Sequence, residues 1–170
     1  MRLRDGQQFL CDMLNIRIVC VGTIKESYIK EGIAEYAKRM TGKCDFKIVE
    51  LKEERLPESP SAGEIASALD KEAQKILDAA KGSYKIAMCV EAKQVTSEGM
   101  AEMIERAAMR SSTISFIIGS SHGLSDKVKS ACEERLSVSK LTYPHQLMRL
   151  MLSESIYRSL SIISGSKYHK

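Results

Sequence analysis

No stretch of this chain approaches the roughly 20 consecutive apolar residues that span a bilayer, and Met1 to Asp12 lacks the uninterrupted apolar region of a signal peptide. A soluble, cytoplasmic protein is expected. Cysteine is sparse and unpatterned: Cys11, Cys20, Cys44, Cys89 and Cys132 are odd in number, widely spread, and form no C-x-x-C or Cys/His ligand spacing. They read as reduced, mostly buried thiols, and no metal is expected. Tryptophan is absent, proline occurs three times, and there is no repeat or low-complexity segment. Charge of one sign is also in small excess: net +4, with a pI near 8.8, tolerates a polyanion without pointing to one.

What is present is an alternation of apolar strands and amphipathic helices over 170 residues, the usual size of one domain. Ile16 to Gly22 reads as a buried strand, and Ser27 to Met40 carries Ile29, Ile33, Tyr36, Ala37 and Met40 at helical spacing. Asp45 to Leu51 makes a second strand. Lys52 to Ser61, charged and holding Pro57 and Pro60, is the only substantial loop. Gly63 to Ala80 reads as a long helix, Tyr84 to Val90 as a strand, Ser97 to Met109 as a helix and Thr113 to Ile118 as a fourth strand. Ser125 can cap a helix from Asp126 to Arg135. A fifth strand is expected near Ser137 to Thr142, and Pro144 suits the first turn of a helix reaching about Leu160. The pattern predicts a single α/β domain over residues 13–170, with a mostly parallel sheet covered by helices on both faces. Residues 1–12, ahead of a second methionine at Met13, read as an N-terminal extension outside the fold.

Ligands of open parallel sheets sit beyond the carboxyl ends of the strands. After the fourth strand comes Gly119-Ser-Ser-His-Gly123, whose glycines permit close backbone approach, though the same residues would make an ordinary tight turn. It has the spacing of neither a dinucleotide loop nor a phosphate loop. After the expected helix comes Val138 to Tyr143, either a second stretch of ligand-binding backbone or a plain edge strand. On the last helix Gln146, Arg149, Ser153 and Tyr157 share one narrow arc, facing solvent or lining a cleft with a partner subunit. Glu154 and Arg158 form an i,i+4 pair of the kind that decorates surfaces. Of the three histidines, His122, His145 and His169, the last is the most suggestive, beside Tyr168 at the chain's end.

Taken together, Ile18-Val-Cys-Val-Gly22, Leu69-Asp-Lys-Glu72, Phe116-Ile-Ile-Gly119, Gly123-Leu-Ser125, the Ser139-Lys-Leu-Thr-Tyr-Pro-His-Gln146 core, Glu154-Ser-Ile-Tyr-Arg158 and Tyr168-His-Lys170 make a joint pattern. It resembles the pseudouridine N3-methyltransferases of large-subunit ribosomal RNA, in the SPOUT superfamily. The resemblance runs in order from Asn15 to Lys170. It implies a C-terminal trefoil knot, which no periodicity argument would propose because knots are so rare. It implies a homodimer and S-adenosylmethionine held in the knot by Met88, Gly119, Val138, Ser139, Lys140, Leu141, Thr142 and Tyr143. The implied substrate is a pseudouridine of 23S ribosomal RNA in the assembled ribosome. Arg149 and His169 are the implied catalytic residues, and Arg149, Tyr168, His169 and Lys170 are implied to meet the RNA.

Three features depart from the pattern. Ser120 stands where the family usually places a second glycine, His122 occupies a variable position, and Met1 to Asp12 lies outside it. Two other classes stay open on the residues alone: a nucleotide- or flavin-binding α/β protein, and a noncatalytic RNA-binding or ribosome-assembly factor.

Overall fold

Five parallel strands set the frame of the computed structural model, which describes residues 14–166. The expected extension Met1 to Asp12 and the site candidates Tyr168, His169 and Lys170 lie outside the described residues. In chain order the elements are β1 (Asn15–Val21), α1 (Ser27–Met40), β2 (Asp45–Leu51), α2 (Ala62–Ala79), β3 (Tyr84–Met88), α3 (Ser97–Ala108), β4 (Thr113–Ile118), α4 (Asp126–Ala131), β5 (Glu134–Leu136) and α5 (His145–Ile163). The sheet order is β2-β1-β4-β3-β5, and every pairing is parallel.

Because strand side chains alternate between faces, this sheet has two cores. Ile16, Ile18 and Cys20 of β1 point with Ile114 and Phe116 of β4 toward α3 and α5, where Ile104, Leu152 and Ile156 complete a fully buried layer. Val19 and Val21 of β1, Ala87 of β3 and Ile117 of β4 point the other way, against Ala73 and Ile76 of α2 and Val128 of α4. Burial on both faces explains why β1 and β4 read as near-continuous apolar runs. The helices begin where side chains satisfy their free N–H groups. Ser61 and Glu64 form a reciprocal capping box on α2, and Thr96 and Ser125 cap α3 and α4.

The expected helix from Asp126 to Arg135 is corrected. It ends at Ala131, Cys132 is extended with ψ 142°, and Glu134 to Leu136 form β5. Edge hydrogen bonds outcompete helix propensity here. Glu133 accepts from the Lys85 N–H at 2.6 Å through its carboxylate and donates its own N–H to the Lys85 carbonyl at 3.0 Å. The Tyr84 hydroxyl donates to Glu134 at 2.8 Å. The fifth strand therefore lies just ahead of Ser137 to Thr142, where Ser137 makes an isolated parallel bridge to Gln94 and the residues beyond it bend away. Chain capture by the edge of β3 thus leaves the backbone after Ser137 outside the sheet, on the side where a ligand would sit.

Candidate active site

The carboxyl ends of β3, β4 and β5 open into a cavity of about 610 Å³, within the range of about 300–1,000 Å³ usual for cofactor sites. Its floor is a close backbone contact. A Cβ on Gly119 would stand 2.1 Å from the Gly123 carbonyl oxygen and 2.4 Å from its carbon, so only glycine fits. Gly123 itself, at φ +81°, folds the chain back, and its N–H donates to the Ser120 carbonyl at 2.9 Å. The two glycines that suggest either a turn or a ligand loop therefore do both: the turn brings this loop's backbone to the cavity wall. Ser120 has an ordinary negative φ, so a side chain at that position carries no backbone strain.

The opposite wall is the segment after β5. Ser137 anchors it by donating its N–H to the Lys93 carbonyl at 3.1 Å, and Leu136 accepts from the Cys89 N–H at 2.9 Å. Within the segment the Ser137 hydroxyl donates to the Ser139 carbonyl at 2.9 Å and the Leu141 N–H donates to the Ser139 hydroxyl at 3.0 Å. Little else of its backbone is paired internally, which leaves peptide donors and acceptors for a ligand. The structure brings Met88, Gly119, Val138, Ser139, Leu141, Thr142 and Tyr143 to the cavity lining, while Lys140 is exposed and off it. Ile118, Leu136 and Met148 add apolar surface, and the lining holds no Asp, Glu, Lys or Arg. Such a site reads neutral, flat groups by shape and backbone hydrogen bonds, and offers no side-chain cation to a phosphate.

Beside the cavity lies a charged cluster. Arg149 is fully buried: its Nη1 donates to Glu50 at 3.1 Å and its Nη2 to the Val21 carbonyl at 2.8 Å, while its Nε lacks a protein partner. The Glu50 carboxylate also accepts from the Ile24 N–H at 2.8 Å, and Gln146 accepts from the Lys25 N–H at 2.9 Å. The polar arc of α5 thus corrects the expectation of a solvent or intersubunit face. Arg149 and Ser153 are buried inside the protomer; Arg149 with Gln146 fastens the loop after β1, the Ser153 hydroxyl donates to the Arg149 carbonyl at 2.7 Å, and Tyr157 meets Tyr36 of α1 with ring centroids 6.0 Å apart. A guanidinium with no exposed surface reaches no RNA from this position. Three side chains converge on Gly22, at φ +88°: a Cβ there would lie 3.5 Å from Glu53 Oε2 and 3.7 Å from both Arg149 Nη2 and His145 Nε2. His145 also lines the cavity. Burial first, then the positive charge of Arg149, hold its pKa below the ordinary value of 6.5, against the pull of Glu53.

Comparison with known proteins agrees with this geometry. The profile of a family described as "Predicted SPOUT methyltransferase" matches residues 14–169. The chain belongs to the SPOUT methyltransferase family. Among its SPOUT relatives, proteins named "Ribosomal RNA large subunit methyltransferase H" from Latilactobacillus sakei, Clostridioides difficile and Bacillus pumilus are 47%, 46% and 43% identical. Each alignment covers 92% of this chain and the whole of the relative. The fold is likewise shared with a probable methyltransferase from Bordetella pertussis, at TM-score 0.55 and 13% identity over 92% of this chain and 99% of that one. It is shared too with a tRNA (m1G37) methyltransferase from Aquifex aeolicus, at TM-score 0.51 and 10% identity over 85% of this chain and 69% of that one.

Two features of this SPOUT site escape sequence reasoning. His145 looks like an ordinary first-turn residue until the turn at Gly22 places Glu53 and Arg149 beside it. Glu50 and Glu53, in a charged stretch of the sequence, give no signal of their buried-side contacts. Arg149 is legible as important, yet its apolar neighbours on α5 already hinted at an interior place rather than an exposed one.

Proposed function

We propose that this protein methylates N3 of a pseudouridine in 23S ribosomal RNA, with S-adenosylmethionine as donor and the assembled ribosome as substrate. The observation that carries the donor assignment is the cavity between Gly119 and Val138 to Tyr143, built of close backbone and apolar side chains with no charged lining residue. Those residues fit the group. Met88, Ile118, Leu136 and Val138 offer an adenine ring apolar contact, and the peptide groups from Val138 to Tyr143 offer hydrogen bonds to its edge and to a ribose. When bound there, the donor supplies an electrophilic sulfonium methyl group. An adenine nucleotide or a flavin phosphate would bring multiple negative charges to walls without Lys or Arg, which favours the sulfonium over that alternative.

The protein's own part is positioning, exclusion of water and removal of the N3 proton. The loop after β1, fastened to α5 by Gln146, Arg149 and Glu50, forms a rim beside His145 at the cavity's edge. Val90 and Leu141, 51% and 66% exposed on the lining, leave apolar surface at the mouth for the RNA or a second protomer to cover. A homodimer fits α5, whose half-buried Leu147, Leu150 and Met151 lie outside the fully buried Leu152–Ile156 side. Tyr168, His169 and Lys170 are assigned to close a partner's site over the base, and the trefoil knot to the chain from β4 to α5. Arg149 acts by holding the rim rather than by touching RNA. Modest positive charge agrees with recognition of ribosome shape over a dense phosphate footprint.

The test is calorimetry with S-adenosylmethionine, FMN and ATP, followed by mass spectrometry of the large-subunit stem-loop from cells lacking and regaining this protein. Binding of S-adenosylmethionine alone and a methyl group that returns with the gene are expected. Binding without a returning methyl group would instead mark a noncatalytic assembly factor.

A further inference from the structure

We infer that His145 is the base that takes the N3 proton, with Nδ1 as the accepting atom and with Arg149, Glu50 and Glu53 as its positioning residues. This rests on the methyl-transfer reading above and adds the group that reading leaves unnamed.

His145 opens α5 where the cavity and the charged cluster meet: the residue lines the cavity, and its Nε2 is turned to Gly22, around which Glu53 Oε2 and Arg149 Nη2 also gather. No hydrogen bond engages the ring among the described residues. With Nε2 turned to Gly22, Nδ1 is the ring nitrogen left for the substrate side. Of the other titratable groups on the lining, Tyr143 is a phenol and Cys89 a thiol whose pKa is raised by burial, Glu91 adding to the rise. The raised pKa keeps the Cys89 thiol a donor at neutral pH, not an acceptor.

The surroundings also keep the imidazole neutral. From its own helix it faces Arg149. From the loop beyond β2, Glu53 shares the space around Gly22 with it, and from β2 Glu50 pairs with the Arg149 guanidinium. From β1 it faces only the Gly22 backbone. The partial positive charge of the α5 N-terminus opposes protonation as well. A neutral imidazole at pH 7 is ready to accept. The step then balances: the N3–H proton goes to His145 Nδ1, the N3 lone pair forms the new N–C bond, and the methyl C–S bond breaks with its electron pair left on sulfur. The imidazolium next to Arg149 returns its proton to solvent as product leaves.

The experiment compares the wild-type protein with His145→Asn and Arg149→Gln in three readouts. The first is NMR of the imidazole without cofactor, where the Nε2–H tautomer and a titration below pH 6.5 are expected, moving upward in Arg149→Gln. The second is S-adenosylmethionine affinity, measured with thermal unfolding in both variants, so that a loss of kcat is separated from a loss of binding or of folding. The third is kcat against pH, expected to fall by about 10²-fold or more in His145→Asn at neutral pH and to recover as alkali ionises N3 itself. Wild-type kcat in His145→Asn, a loss that follows cofactor affinity, or an Nδ1–H tautomer overturns the role. A wild-type protein that binds no S-adenosylmethionine overturns the functional reading instead.

Discussion

Gly119 is the residue on which the site turns. Its Cβ position is filled by the Gly123 carbonyl at 2.1 Å, so Gly119→Ala forces apart the two backbones that form the cavity floor. Overpacking of this kind costs about 1–3 kcal/mol, and urea unfolding should register that loss together with a collapse of S-adenosylmethionine binding in calorimetry. His145 gives a second residue-scale prediction. Its folded pKa is depressed below 6.5, so its contribution to stability is fully present above that value and is lost as pH falls through the folded pKa. His145→Asn should flatten the decline of denaturation midpoint below pH 6.5, whereas an unchanged slope would place the titrating group elsewhere. Cys20 and Cys132, pushed up to about 11 chiefly by burial, should stay unmodified by thiol reagents in the folded protein at neutral pH.

Elements show which parts of the fold are legible in sequence and which are not. α1, β2 and β4 have the bounds their periodicity predicts, because each is decided locally, by an apolar stripe or by burial on both sheet faces. β5 is not local. Its residues Glu134 and Arg135 follow a capped helix and read as its continuation, and the edge of β3, about 50 residues away by the Tyr84–Glu134 separation, turns Glu134 to Leu136 into a strand through the Ile86 to Met88 ladder and the Tyr84 and Lys85 contacts. The candidate cofactor segments Gly119 and Val138 to Tyr143 are legible as places beyond strand ends, with the family resemblance supplying their proposed role. The Glu53–His145–Arg149 convergence is invisible because it joins three segments through a glycine turn. Glu133→Ala tests this scale: loss of the Lys85 contacts should loosen β5 and the segment after it. Faster amide exchange from Glu134 to Tyr143 and weaker S-adenosylmethionine binding are expected, with β1 and β4 unaffected.

For the whole molecule, a rigid parallel sheet carries two separable functions. The protomer supplies the cavity and the Arg149-fastened rim, and under the proposed homodimer Tyr168 to Lys170 of a second copy would close it. Deletion of Tyr168 to Lys170 should therefore leave thermal stability and cofactor affinity intact while abolishing turnover, and deletion of Met1 to Asp12 should leave turnover unchanged. The central claim is that this chain moves a methyl group to ribosomal RNA, and one measurement meets it directly. Purified protein is incubated with isotopically labelled S-adenosylmethionine and ribosomes from cells lacking the corresponding gene, and the large-subunit RNA is digested to nucleosides for mass spectrometry. The account predicts label in a single methylated pseudouridine, absent when free RNA replaces the ribosome. Label in no nucleoside, or in a nucleoside other than pseudouridine, would contradict it.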